Sequence, residues 1–425
     1  MGFQYLSHEF DIETKTASFQ YFVNGFTFTE SAIFSEVSEN YDAVALESAL
    51  FLAGILIGAS YYKTFPTSEF QITDGRLDQW QSEFFNSVYQ EGFSQFAFEN
   101  NLTRSDLAHF TATLAGDDVK RTDQSETTGS PIVLQSGGKD SLLLAELLTQ
   151  KKVGFNPWYV SSTDSHPVVL SDLSLPVSVV TRKLDLGNLQ KAKESGALNG
   201  HIPVTYIVLS LAIIEAILTG KNTVLTAIGH EGEEPYTYVD DLPVRHQWAK
   251  IWQSEIQFAE YVRRYISPEL HVGSPLRQFS ELKIAELFVT HCWEKYSRSF
   301  SSCNVGNYKQ GQNNEKLGWC GKCAKCANSF LLFAPFVDAS ELMDVFNGEN
   351  LLKKESLIET FKGLMDIDEV AKPFECVGET DELRLAYHMA VARSPQYSLP
   401  FDVPESTFDY NMLYSAQQWA TDLIT

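Results

Sequence analysis

Positive charge is what this chain has least of. Against 55 Asp and Glu it carries 32 Lys and Arg, a formal net charge of −23, and the basic residues nowhere form a run. A chain of this sign is repelled by phosphate backbones and anionic lipid, so neither nucleic acid nor a membrane is an expected partner. The first residues, MGFQYLSHEFDIE, have no basic start, apolar core or small-residue cleavage site. No secretory leader is expected, and the expected location is the cytoplasm. Only Ala43 to Tyr62 needs a membrane check by length. Glu47 lies inside it and Gly54, Gly58 and Ser60 dilute it, which predicts a buried helix instead. Cysteine is also scarce, with six residues, yet Cys320, Cys323 and Cys326 fall close together. In a long chain without a leader, that reads as a metal site rather than a disulfide framework.

What is present is enough apolar material for sizeable cores: 44% hydrophobic and 13% aromatic over 425 residues. That length predicts two or three domains. Residues 1–115 read as an aromatic-rich α+β domain, with alternating strands around a hairpin signal at Asn24-Gly25 and helices over 43–62 and 77–98. Residues 116–130 are polar and read as a linker. From Pro131 the pattern alternates: PIVLQ, a Gly-rich loop, a helix, strands at 158–162 and 176–186, a helix at 205–218, a strand at 223–229, and helices at 247–266 and 281–296. Such alternation predicts an α/β fold, a parallel sheet with helices on both faces, over 131–335. A helical region is expected over 336–425.

Ser136-Gly137-Gly138-Lys139-Asp140-Ser141 falls at the C-terminal end of the first strand of that sheet, where ligands bind in such folds. A glycine pair lets the backbone approach a phosphate, and the following helix adds its positive end. Ser136 and Ser141 offer hydroxyls and Lys139 a charge. Asp140 can orient the loop or hold magnesium. The loop lacks GxxxxGK[ST] and is not a Walker A motif. Between a strand and a helix, this hexad resembles the PP-loop of N-type ATP pyrophosphatases. That resemblance implies a Rossmann-like sheet of the adenine nucleotide alpha hydrolase kind, and an ATP that adenylates a substrate oxygen and releases pyrophosphate.

Cys320, Cys323 and Cys326 put three thiolates on one knuckle, and Cys303 can supply a fourth. Four thiolates at about 2.3 Å make a closed tetrahedral zinc site with no open catalytic position, a staple for a long loop. An iron–sulfur cluster or metal-free thiols would use the same residues. Cys292 lies in an apolar helix pattern and reads as core. Cys376, in a turn bounded by Pro373 and Gly378, reads either as core or as an exposed reactive thiol.

Within the PP-loop group, the charge argues against a tRNA substrate. A deazapurine-carboxylate enzyme shares the cysteine pattern but is much shorter. A resemblance over most of the chain is carried by Phe26-Thr27-Phe28-Thr29-Glu30, the phosphate loop, Val244-Arg245-His246-Gln247-Trp248-Ala249-Lys250, Ser280-Glu281-Leu282-Lys283-Ile284-Ala285, Ser301-Ser302-Cys303-Asn304, Trp319-Cys320-Gly321-Lys322-Cys323 and Lys372-Pro373-Phe374-Glu375-Cys376-Val377-Gly378-Glu379. Together these resemble the MurL family, the ATP-dependent UDP-N-acetylmuramoyl-L-alanyl-L-glutamate epimerases. The resemblance implies inversion of the terminal L-Glu of that nucleotide-sugar peptide to D-Glu, with ATP cleaved to AMP and pyrophosphate, in peptidoglycan precursor synthesis. The chain departs from the family pattern at His230-Glu231-Gly232-Glu233-Glu234, where an Asn-Glu-Arg-Ser-like stretch is expected, and at Arg245, where Asn is expected. These departures motivate an alternative, a related acyl-adenylating epimerase or ligase acting on another carboxylate. A nucleotide sensor that kept the fold is the non-enzymatic alternative.

The proton carriers of such a reaction are expected among His246, with a suitable ordinary pKa, Lys250, four residues on along a predicted helix, and Cys376. Each can instead bind a phosphate or carboxylate of the substrate. Glu231 and its acidic neighbours can hold magnesium. Arg245, Arg263, Arg264 and Arg277 can balance an anionic substrate.

Overall fold

The computed structural model describes residues 2–73, 75–114, 129–307 and 315–425. The expected linker at 116–130 falls almost wholly outside them. The chain opens with β1 (Phe3–Asp11), β2 (Thr16–Val23) and β3 (Phe26–Ile33), an antiparallel meander. Asn24 and Gly25 join β2 to β3 with φ of 48° and 83°, the left-handed pair a tight hairpin requires. The alternate residues Phe3, Tyr5, Phe19, Tyr21 and Phe28 are buried and meet α1 (Ala43–Tyr62), capped by the Asp42 carboxylate. Most of α1 is buried, as its composition predicts for a core helix. Gly54 admits the Tyr5 ring against the helix backbone, and the Tyr21 hydroxyl donates to the Gly54 carbonyl at 2.8 Å.

After β4 (Phe70–Ile72) come α2 (Gln79–Gln90) and α3 (Ser94–Glu99), where one helix over 77–98 is expected. The break is at Gly92, where an added Cβ would lie 2.9 Å from the Trp248 ring. Then follow β5 (Ile132–Leu134), α4 (Lys139–Gln150), β6 (Asn156–Ser161), β7 (Ser178–Lys183), α5 (Leu186–Glu194), α6 (Val204–Leu218) and β8 (Thr223–Leu225). A small hairpin of β9 (Thr237–Val239) and β10 (Leu242–Val244) precedes α7 (Trp252–Tyr265), β11 (His271–Gly273) and α8 (Glu281–His291).

The strand order is β11-β8-β5-β6-β7-β3-β2-β1-β4. The first five are mutually parallel, and β3 pairs antiparallel with β7 through Ser31, Ala32 and Ile33. The fold is therefore α/β with a large parallel-rich sheet, and the N-terminal meander extends that sheet rather than forming one of its own. Ile132, Trp158, Val180 and Val224 face the core built with α1 and α6; Val133 and Leu225 face the core with α4 and α8. Both faces are covered, as near-continuous apolar strands demand. The strand order reverses at β5, with β6 and β7 added on one side and β8 and β11 on the other, so a crevice opens between β5 and β8 at the strands' C-terminal ends.

The helix expected over 247–266 starts only at Trp252. Lys250 closes a short turn on Gln247, its carbonyl accepts from Arg277 Nη1 at 2.8 Å, and the Trp252 N–H is capped by Glu233 Oε1 at 2.7 Å. His246 and Lys250 consequently do not share a helical face. Beyond α8 lie α9 (Trp293–Tyr296), α10 (Asn304–Asn307) and α11 (Ala324–Phe333). The region from 336 is helical only in part: α12 (Ala339–Val345), α13 (Ile358–Leu364), α14 (Thr380–Arg393) and α15 (Gln418–Thr421) are separated by irregular runs.

Candidate functional site

β5 ends in the Ser136–Gly138 turn and α4 begins at Lys139. Gly137 has φ +75°, and a Cβ on Gly138 would sit 2.8 Å from Ser302 Oγ, so the turn is a narrow backbone cradle. Ser136 Oγ accepts from the Gly138 N–H at 3.2 Å and lies 3.3 Å from Ser141 Oγ. Lys139 folds beneath, with Nζ 2.5 Å from Asp140 and 2.7 Å from Glu281 Oε2 at the start of α8. Burial opposes the Lys139 ammonium, but those two carboxylates outweigh it and raise its pKa. Burial likewise opposes the Glu281 carboxylate; Lys139, Lys325 and Lys250 more than offset it, and its pKa is lowered.

Across the crevice, the loop after β8 brings Glu231 to 3.3 Å from Lys250 Nζ, which is also 3.1 Å from Gln247 Oε1 and 4.0 Å from Cys376 Sγ. Burial opposes the Lys250 charge, yet Cys376, Glu231, Glu281 and Asp140 raise its pKa. Glu231 is raised by burial despite Lys250, with Glu281 and Asp140 adding repulsion. These mutual effects join the Ser136–Ser141 loop and the Lys250–Cys376 group into one largely buried electrostatic cluster. Lys325 of α11 closes it, donating to the Cys376 carbonyl at 2.5 Å.

His246 lies at the edge of this cluster, its Nδ1 2.7 Å from Gln95 Oε1 and its ring 4.5 Å from that of His201. Burial lowers its pKa to about 4, so it is neutral at pH 7. The acidic run beside Glu231 is used internally: Glu233 caps α7, and Glu234 takes Lys372 at 2.6 Å and the Thr380 N–H at 3.0 Å. His230 stacks on Tyr414 at 3.6 Å. Arg277 is a fully buried strut on Glu255, and Arg263 and Arg264 pair with Glu260 on the surface. Of the four arginines expected to balance a substrate, Arg277 is spent on the Lys250 and Gly229 carbonyls and Arg245 on the Glu233 carbonyl.

Cys303, Cys320, Cys323 and Cys326 bring their sulfurs within 4.8 Å of one another, a group that can hold a metal ion. Three of the separations are 3.6–3.7 Å, close to the edge of about 3.8 Å that a tetrahedron with 2.3 Å metal–sulfur bonds requires. The four-thiolate donor set fits zinc and leaves no open position. Cys292 is buried, its thiol pushed up to about 12 by that burial; Cys376 is half-buried. Sequence reasoning missed the roles of Glu281, Gln247, Lys325 and Gln95. Glu281 and Gln247 stand in quoted motifs, where the signal was present but unassigned; for Gln95 and Lys325 no local signal exists.

Residues 1–274 match the MurL N-terminal domain and residues 299–419 the MurL C-terminal domain. The chain is 31% identical over 357 residues to the UDP-N-acetyl-alpha-D-muramoyl-L-alanyl-L-glutamate epimerase of Xanthomonas oryzae pv. oryzae, covering 83% of this chain and 76% of that one. Proteins of the same name from Micromonospora sp. and Salinispora tropica are 28% and 29% identical, each over 90% of this chain and over 85% and 83% of their own lengths.

Proposed function

The chain belongs to the MurL family, and from that premise we propose that it epimerises the terminal L-Glu of UDP-N-acetylmuramoyl-L-alanyl-L-glutamate to D-Glu, consuming ATP to AMP and pyrophosphate. The observation that carries the reading is the cluster at one strand crevice in which Asp140 and Glu281, both paired with Lys139, act electrostatically on Lys250 and Glu231, with Lys250 beside Cys376. Phosphate binding and proton transfer need to meet on one substrate, and here their candidate residues do.

The α-proton of a glutamyl residue beside a free carboxylate is very weakly acidic, because its loss would place a second negative charge next to the first. Adenylation removes the carboxylate charge and gives a mixed anhydride whose carbonyl can accept the electron pair as an enolate. The Ser136–Ser141 turn, of PP-loop type, offers backbone N–H groups and hydroxyls to the phosphates. Asp140 is the residue that would hold Mg2+, whose chemistry is to neutralise phosphate charge. Lys250, with Cys376 beside it, moves a proton at the α-carbon, and water then cleaves the anhydride. Zinc on the four cysteines serves as a staple. The enzyme works in the cytoplasm on a small nucleotide-sugar peptide.

Purified protein with ATP, magnesium and the muramoyl dipeptide in deuterated water tests this. Substrate-dependent AMP together with deuterium at the glutamyl α-carbon of a D-Glu product is expected. AMP without deuterium would replace the epimerase reading with a ligase, and no AMP with this substrate would overturn it.

A further inference from the structure

Lys250 Nζ and Cys376 Sγ are 4.0 Å apart. Two groups serving one carbon from opposite faces each approach it to about 3–3.5 Å, so they stand roughly 6–7 Å from one another. Lys250 and Cys376 are too close for that and serve a single face. Inversion needs a proton acceptor or donor on the other face.

His246, on the same β10–α7 connection as Lys250, is the candidate, and its protonation pattern is set from outside the parallel sheet. Gln95 Nε2 donates to Glu99 Oε1 at 2.7 Å. A carboxylate only accepts, so this bond fixes which way the Gln95 amide points. The amide oxygen is then the atom 2.7 Å from His246 Nδ1. That oxygen also only accepts, so Nδ1 carries the hydrogen and a neutral ring keeps its lone pair on Nε2. Neutrality is secured by the surroundings. Burial is the main cause; Glu375 and Glu99 oppose it, and Lys250 and Lys325 reinforce it. The neighbouring His201 is itself held neutral by burial, with a pKa of about 3. The relay is anchored: Ser94 Oγ accepts the Arg245 N–H at 3.3 Å, and Asn100 donates to the Asn199 carbonyl at 3.3 Å. Helix α3 is thus wedged between the loops that carry His246 and His201.

We propose that Gln95 and Glu99 are positioning residues that hold His246 in the Nδ1–H tautomer, leaving Nε2 to serve the face of the α-carbon opposite Lys250 and Cys376. The inference rests on the epimerase reading for its reaction. In one direction the Cα–H bond breaks, its proton goes to Nε2, and the Lys250–Cys376 group delivers a proton to the other face. Solvent then restores both protonation states. The N-terminal part of the chain, distant in sequence from the phosphate loop, acquires a role in the proton step.

The test has a readout that needs no substrate. In protein labelled with 15N at histidine, the His246 signals, identified by their loss in His246→Gln, should show a protonated Nδ1 and an unprotonated Nε2. Gln95→Leu should shift that ring to the other tautomer or a mixture. It should also lower α-proton exchange relative to AMP formation by ~10–100-fold, on the scale of general-base catalysis. Glu99 is exposed, so Glu99→Gln keeps the fold while freeing the amide to flip, and a mixed tautomer is expected. A proton on Nε2 in the parent protein, or an unchanged tautomer in both variants, overturns the proposal. Failure of the parent protein to form AMP would overturn the functional reading instead, because the nitrogen signals do not depend on it.

Discussion

Lys139 on the Ser136–Ser141 loop and Glu281 at the first turn of α8, 142 positions apart, meet at 2.7 Å with both side chains almost fully buried. The ion pair ties the base of the loop to the far side of the crevice. Breaking a buried pair leaves a charge without its partner and costs roughly 3–5 kcal/mol. Here Asp140 still faces Lys139, so Glu281→Ala should cost less, about 2–3 kcal/mol by denaturant unfolding on that same scale. Pyrophosphate release should fall with it.

Asp140 shares Lys139 but keeps about a quarter of its side chain exposed. Asp140→Ala should leave stability nearly unchanged and abolish pyrophosphate release. Retention of the wild-type rate would contradict the assignment of the loop.

The four sulfurs join Cys303 to the Cys320–Cys326 knuckle across a stretch of intervening chain. Metal analysis of protein purified without chelator should give one zinc per chain. Cys326→Ser should lower the melting temperature and weaken metal retention. It should not alter the pH dependence of the proton step, because a closed four-sulfur site has no catalytic position. A fully folded, metal-free protein would remove the staple.

Buried carboxylates set the pH response of stability. Burial pushes Glu382 up to about 8, against the opposing Leu282 N–H, and pushes Glu215 up to about 7. A carboxyl group whose folded pKa is raised holds its proton more tightly when folded. Its stabilising contribution is complete below the unfolded pKa of about 4.3 and is lost as pH rises through the folded value. Below about pH 6.5 the buried His201, His230 and His246, whose folded pKa values are lowered, work the other way. Thermal midpoints should therefore fall between about pH 6.5 and pH 8, and Glu382→Gln, which keeps an acceptor for the Leu282 N–H, should flatten that fall.

Gly54 is the closest approach of α1 to the meander, where an added methyl would overlap the buried Tyr5 hydroxyl. Gly to Ala inside a helix gains up to about 1 kcal/mol, whereas overpacking costs about 1–3 kcal/mol. The clash should win, and Gly54→Ala should destabilise the protein in thermal melts.

Much of the architecture was legible locally. The hairpin at Asn24-Gly25 follows from two residues that tolerate positive φ. The limits of α1 follow from the Asp42 cap and the largely apolar stretch after it. The strand, loop and helix at 132–150 follow from a glycine pair between two apolar runs. The cysteine group was readable because Cys320, Cys323 and Cys326 fall within seven residues of one another. The helix expected at 247–266 was misread at its start because its first N–H and preceding carbonyl are claimed by Glu233 and Arg277, which no local pattern reveals.

By itself, then, the sequence determined most of the elements, the glycine-pair loop at Ser136–Ser141, the cysteine group and the family, because short-range backbone preferences and residue chemistry are written within a few positions of each other. Only the tertiary structure decided that the meander extends the parallel sheet through Ser31–Ile33, and that Glu281 closes on Lys139. It alone put Cys376 on the same face as Lys250, and Gln95 against His246. Each of these joins residues about 125 to 152 positions apart, and such pairings are settled by which buried charges and donors find partners when the layers pack.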